Sequence, residues 1–351
     1  MDSATVQFDE IKLLEEKLTT SSIPAELRKK AKAQIDRLVR ISQSGSFSQE
    51  YDSVSRYLDW VVSLPWANKS QDNLSLENAK KILDKNHYGL SQIKERILEY
   101  ISVVNLKQAE SAEHELKAPA LLFLGLVGTG KTTMAYSIAE ALGRKFGRIP
   151  MGGMGDALQL RGRARAYPDA EPGQIVKVLR RAGTKNPVIL LDEIDRVTED
   201  AKADIMGVLV ELLDPEQNSK FLDHFIDYPI DLSEVLFIST ANNTGGVATA
   251  VLDRMEVMEL PSYTDEEKII IAKNYLLPRE IPSAGLKSSD ITIAEDVWPQ
   301  IVRPLGFDAG MRTLDRTIAG ICRKIAKMKL EKQIASVSLT SANLKEYLPT
   351  W

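Results

Sequence analysis

The sequence predicts an α/β protein in which a doubly wound parallel sheet lies between two helical regions. Three observations carry this. Five short apolar runs, Ala120–Leu124, Phe146–Met151, Val188–Leu191, Val235–Ser239 and Val257–Leu260, alternate with helical stretches, the texture of strands joined by crossover helices. None of these runs alternates polar with apolar, as expected of strands covered on both faces. Before Leu106 and after Pro261 the apolar residues recur at helical spacing instead.

The elements follow in order. Leu27, Ala31, Ile35 and Leu38 mark one helix, with Pro24 in its first turn. Ser42 to Ser48, with Gly45, reads as a loop. A second helix carries Tyr57, Leu58 and Trp60 to Val62 and stops at Pro65, and a third spans Ile93 to Val104 after a break at Gly89. The polar segment Glu110 to Pro119 marks a boundary, and the apolar runs follow it. Beyond Pro261 come a helix over Asp265 to Leu276 and another over Met311 to Lys332, whose Leu314, Ile318, Ile321, Ile325 and Met328 share one side. A short strand, Ser336 to Thr340, precedes a last helical turn.

The 351 residues allow two or three domains. A hydrophobic share of 44% excludes a mostly disordered chain. The net charge of -4 supplies no overall field for nucleic acid. Cys322, the single cysteine, excludes a disulfide framework and fits a reducing compartment. No apolar run reaches the roughly 18 residues of a membrane span, and Met1 to Glu10 lacks the basic and apolar regions of a secretory signal. The expectation is a soluble, cytoplasmic chain with no membrane partner (or a mitochondrial-matrix one if the source is eukaryotic).

Gly125-Leu126-Val127-Gly128-Thr129-Gly130-Lys131-Thr132 matches the full P-loop pattern between a predicted strand and a predicted helix. Its glycines let several N–H groups point at one phosphate, and the helix N-terminus adds its dipole. Lys131 is then placed for the β- and γ-phosphates of a nucleotide and Thr132 for Mg²⁺; Gly125, Gly128, Thr129, Gly130 and Thr133 complete the nucleotide-binding set. The run Val188 to Leu191 delivers Asp192, a second Mg²⁺ ligand, and Glu193, the base that polarises the attacking water. Asn242, beyond a third strand, faces the same crevice and is placed to hold that water.

Together these motifs resemble the ATPase module of the Lon family of AAA+ ATP-dependent proteases. The likeness runs from about residue 8 to 350, through Tyr57-Leu58-Asp59-Trp60, Leu64-Pro65-Trp66, His87-Tyr88-Gly89-Leu90, Leu213-Asp214-Pro215-Glu216-Gln217-Asn218 and Leu252-Asp253-Arg254-Met255. The resemblance implies a helical neck with the lead-in to the nucleotide domain (1–115), an AAA+ nucleotide domain (116–262) and a helical lid (263–351). It makes Arg254 an arginine finger offered to the next subunit and Arg312, in Gly310-Met311-Arg312, a sensor of nucleotide. His87, Tyr88 and Gly89 lie where the family lines its adenine pocket, and Tyr167 with Pro168 where it grips substrate. The implied partners are unfolded or damaged protein and five further copies in a hexameric ring.

Three departures stand out. Leu126 and Val127 replace two prolines usual in the family, Pro168 replaces an aliphatic residue, and Glu199 to Met206 lacks a Gly-Asp-Pro step. No Ser–Lys peptidase dyad with its surroundings is recognisable, so the expectation is either a piece of a longer protease or an unfoldase without one. The basic stretch Arg161, Arg163 and Arg165 reads as positioning a loop rather than as a DNA site, although family members bind DNA. A nucleotide-gated chaperone or scaffold with little hydrolysis is the alternative reading.

Overall fold

The computed structural model describes residues 3–42, 48–110, 119–303, 311–332 and 335–349. All but the end residues of the loop expected over Ser42 to Ser48 and of the boundary expected over Glu110 to Pro119, and Gly310, lie outside the described residues.

Three helices open the chain: α1 (Ser3–Thr20), α2 (Ala25–Ser42) and α3 (Ser48–Ser63). Leu27, Ala31, Ile35 and Leu38 are all fully buried, so the predicted stripe faces the core. Pro24 stands just before α2 rather than inside it. Its carbonyl accepts the Arg28 N–H at 2.9 Å, so it contributes an acceptor where a donor would go unused. Next come α4 (Leu76–Asn86) and α5 (Ser91–Glu110), the latter longer at both ends than its apolar pattern.

The central region contains β1 (Ala120–Leu124), α6 (Lys131–Leu142), β2 (Phe146–Pro150), α7 (Leu158–Arg161), α8 (Gln174–Ala182), β3 (Val188–Asp192) and α9 (Lys202–Leu213). A hairpin of β4 (Phe221–Asp223) and β5 (Tyr228–Ile230) follows, then β6 (Leu236–Ala241), α10 (Thr249–Leu252) and β7 (Met255–Glu259). The sheet is parallel throughout, in the order β2-β3-β6-β1-β7. Burial on both faces explains the unbroken apolar runs. Leu122, Ile189 and Leu191 join a cluster with α1–α3, α8 and α9, whereas Leu121, Phe123 and Leu190 join another with α4, α5 and α6.

The last region is α11 (Asp265–Ile271), a π-helical stretch Ala272–Leu276, α12 (Leu277–Ser283), β8 (Ile291–Ile293), α13 (Trp298–Val302), α14 (Met311–Lys332), β9 (Val337–Leu339) and α15 (Leu344–Tyr347). A capping box between Thr264 and Glu267 starts α11. α14 has the predicted bounds and buries Leu314, Ile318, Ile321 and Ile325 around Cys322, whose thiol pKa burial pushes up to about 11. Among the described residues, no helix is long and apolar enough to cross a membrane.

Candidate nucleotide site

β1, β3 and β6 lie side by side, and their carboxyl ends open into one cleft of about 560 Å³. The crevice beyond the carboxyl ends of such strands is where an open α/β sheet presents its ligand site. Gly130 turns the chain into α6 at a φ of +95°, a value that only glycine adopts cheaply. The first N–H groups of α6 therefore have no intrahelical acceptor and border the cleft.

Lys131 is buried. Its ammonium donates to the carbonyls of Gly125 (2.6 Å) and Leu126 (2.9 Å) and to Asn242 Oδ1 (3.1 Å). Burial lowers its pKa, and the nearby carboxylates of Asp195, Asp192 and Glu193 oppose that shift. Asn242 follows β6 directly, because the strand runs two residues further than the apolar run suggests. Its amide oxygen is committed to Lys131, and its Nδ2 is buried with no acceptor among the described residues. An orphaned donor beside a buried ammonium is a donor set that suits a phosphate oxygen.

Asp192 ends β3 and is almost fully buried. Its Oδ1 accepts from Thr240 Oγ1 at 2.6 Å and lies 3.5 Å from Thr132 Oγ1. A hydroxyl and a carboxylate are the hard oxygen ligands that Mg²⁺ prefers. On its other side, Oδ2 accepts from Arg148 Nε (2.7 Å) and forms an ion pair with Arg148 Nη2 (2.6 Å). Glu193 has a left-handed backbone, φ 61° and ψ 52°, and its N–H donates to Thr240 Oγ1 at 2.8 Å. Non-glycine residues held in that region cluster at functional sites.

The expected residues divide into three groups. Gly128, Thr129, Gly130, Lys131, Thr132, Thr133, Asp192, Glu193, Asn242, His87, Tyr88 and Arg312 all line the cleft. Gly125 stands behind it as an acceptor for Lys131, and Gly89 lies beside it at the turn into α5, with a φ of +62°. Arg254, Tyr167 and Pro168 lie elsewhere. Arg254 donates to Asp214 Oδ2 and to the Ala250 carbonyl, whereas Tyr167 and Pro168 are exposed on the loop between α7 and α8.

His87 ends α4 with Nε2 2.9 Å from Ser137 Oγ. Burial, helped by Lys94, lowers its pKa to about 4, so the ring is neutral. Across the cleft Met311 donates its N–H to the Gly128 carbonyl at 3.2 Å, which sets the start of α14 on the P-loop. Sequence reasoning missed Arg148, Thr240, Tyr263 and Tyr275, all on or beside this cleft. A lone charge inside the apolar run Phe146–Met151 was the available signal for Arg148; Tyr275 sits in a helical stretch whose apolar pattern masked it, and Tyr263 in the connection before α11, which carries no pattern.

The model of the ATPase family associated with various cellular activities matches residues 121–262, and that of the Lon protease AAA+ ATPase lid domain matches 283–337. The chain belongs to the Lon family. Among curated Lon relatives it is 43% identical over 339 residues to Lon protease 2 of Herpetosiphon aurantiacus, covering 97% of this chain and 41% of that protein. It is 41% identical to Lon protease 1 of Bacillus subtilis, covering 97% of this chain and 43% of the relative. The chain thus spans about two fifths of the length of the Lon relatives it matches. It carries the ATPase module of Lon, an α/β AAA domain followed by the Lon lid.

Proposed function

We propose that the chain hydrolyses ATP with Mg²⁺ and uses the cycle to unfold and translocate protein substrates. The observation that carries this is the convergence of Lys131, Thr132, Asp192, Glu193 and Asn242 on one cleft from the ends of three adjacent strands. The chain divides into its three domains at 115/116 and 262/263 and works in a reducing, cytoplasmic setting.

Lys131, with the open N–H groups of α6, binds and orients the phosphates. Thr132 and Asp192 would hold Mg²⁺, which would supply charge neutralisation at the phosphate oxygens. Glu193 takes the proton of the attacking water. Asn242 donates its unpartnered Nδ2 to the γ-phosphate or to that water. Tyr88, Tyr263 and Tyr275 offer aromatic surface to the base, and neutral His87 costs no buried charge there. Arg312 reports the nucleotide from the lid. Arg254, outside its own chain's cleft, serves that of the next subunit in a hexameric ring. Tyr167, with Pro168, presents an exposed ring to unfolded protein.

Phosphate release from the purified chain, with and without carboxymethylated lactalbumin as the unfolded protein, tests the reading. Hydrolysis that unfolded protein stimulates and Lys131→Ala abolishes is expected. Tight ATP binding without phosphate release would instead favour a nucleotide-gated scaffold.

A further inference from the structure

Between α7 and α8 the chain makes an excursion from Gly162 to Gly173, and its tip, Ala166 to Asp169, is exposed. The two stems touch. Arg163 N–H donates to the Glu171 carbonyl at 2.9 Å, and a Cβ on Gly173 would sit 1.9 Å from the Leu160 carbonyl oxygen. Gly162 has a φ of +75°, and a Cβ there would lie 2.9 Å from both carboxylate oxygens of Asp223. Two glycines thus bring the stems together and let one carboxylate reach them.

Asp223 ends β4 and is fully buried. Its Oδ1 accepts from the N–H groups of Phe225 (2.9 Å) and Ile226 (3.0 Å), which closes the β4–β5 hairpin. Its Oδ2 accepts from Gly173 N–H at 2.8 Å. The next residue, His224, donates its N–H to the Arg161 carbonyl at 2.7 Å, so the hairpin holds both ends of the excursion. The hairpin is itself anchored: Tyr57 of α3 donates its hydroxyl to the Ile226 carbonyl at 3.4 Å, and the Arg165 guanidinium lies 3.9 Å from the centre of the Tyr57 ring. A buried carboxylate is costly, and three backbone donors are what makes it tolerable.

We infer that Asp223 is a positioning residue for substrate grip: its carboxylate pins the Gly162–Gly173 stem to the β4–β5 hairpin, so that only the tip bearing Tyr167 yields. This rests on the reading of Tyr167 as the gripping residue. A loop that pulls must transmit force through its base, and the cost of ordering that base is met in the fold rather than on each substrate encounter.

Asp223→Asn separates the two halves of the contact. The amide oxygen can keep the hairpin turn, while Nδ2 meets the Gly173 N–H donor to donor. Hydrogen exchange on the 351-residue chain should quicken about tenfold or more at Arg163 and Gly173 and change little at Phe225 and Ile226. The concentration of carboxymethylated lactalbumin that half-stimulates hydrolysis should rise several-fold, with affinity for a fluorescent ATP analogue unchanged. Unchanged exchange at Gly173, or equal loosening of the hairpin, overturns the inference. If the variant does not fold, the parent protein decides: Gly173 should exchange as slowly as Phe225 and Ile226, and exchange as fast as at Ala166 overturns the pin. Tyr167→Ala run alongside tests the underlying reading separately, since full stimulation in that variant rejects Tyr167 as the grip while leaving the exchange result intact.

Discussion

Thr240 on β6 donates its hydroxyl to Asp192 on the adjacent strand β3 at 2.6 Å, and the same oxygen accepts the N–H of Glu193 at 2.8 Å. One fully buried hydroxyl therefore fixes both members of the acidic pair, including the left-handed backbone of Glu193. Thr240→Val keeps the shape and removes the bonds. We expect ATP hydrolysis to fall about 10- to 100-fold and stability to fall by about 1–3 kcal/mol, the cost of unsatisfied buried groups. ATP affinity should stay close to the parental value, and Thr240→Ser should restore most of the rate. Phosphate release and denaturant unfolding measure both, and a parental rate in the valine variant would remove Thr240 from the argument.

Arg254 donates to Asp214 through Nε (3.2 Å) and Nη2 (3.1 Å), and through Nη1 to the Ala250 carbonyl (2.8 Å). The Glu216 N–H, then Gln217 and Arg254, hold the Asp214 carboxyl below its usual range, so the anion is well prepared to orient this arginine. Arg254→Ala should bind ATP and lose about 10³-fold or more in hydrolysis, the range of arginine fingers. Mixed with Glu193→Gln chains, it should regain part of the rate wherever an intact Arg254 faces an intact Glu193. No recovery in rings shown by mass spectrometry to be mixed would place the action of Arg254 within its own chain.

The contrast between these residues shows what sequence reading reaches. The places of Lys131, Thr132 and Asp192 in the cleft were legible because a contiguous glycine pattern, or an apolar run with an acidic end, states the local structure. The α14 stripe was legible because its burial depends on helical period alone. Arg148 and Thr240 were not, because each acts through a partner on another strand, and only the parallel register brings them together. The hairpin of β4 and β5 and the strand β8 escaped for a related reason, although β9 falls inside the strand expected at Ser336 to Thr340: three-residue strands are stabilised by their pairing and leave almost no periodicity. The π-helical stretch at Ala272–Leu276 has no composition of its own.

His87 offers a pH test. Asn86 donates to Ser137 Oγ at 3.0 Å, and Ser137 lies 2.9 Å from His87 Nε2. Burial comes first among the causes that depress the pKa to about 4; the Lys94 charge adds to it, and a bond to the Thr133 backbone opposes it. Between pH 6.5 and about 4 the unfolded chain takes up a proton that the folded chain refuses. The contribution of His87 to stability is therefore fully present above pH 6.5 and is lost as pH falls through this window. The melting temperature of the parent relative to His87→Gln should drop across that window, because glutamine does not titrate. A difference independent of pH would mean that His87 takes up its proton in both states alike.

A Mg²⁺ ion held by Thr132 and Asp192, as proposed, would compete with Arg148 for one carboxylate. Nε and Nη2 of Arg148 lie 2.7 and 2.6 Å from Asp192 Oδ2, and 55% of the arginine side chain is exposed, so it has room to swing away. Two like charges about 4 Å apart repel by roughly 4 kcal/mol per pair of unit charges at an effective dielectric constant near 20. A divalent ion held by Thr132 and Asp192 would therefore work against the guanidinium. Arg148→Gln removes that opposition and leaves a side chain of similar reach. The Mg²⁺ concentration that half-saturates binding of a fluorescent ATP analogue should fall several-fold, measured in a Glu193→Gln background so that hydrolysis does not intervene. Arg148→Lys should fall between the two, since an ammonium keeps the charge but not the planar fork. If Arg148 instead grips phosphate, the glutamine variant would lose affinity for the analogue in EDTA. An unchanged Mg²⁺ midpoint would show that the Arg148–Asp192 pair breaks at no cost when the metal arrives.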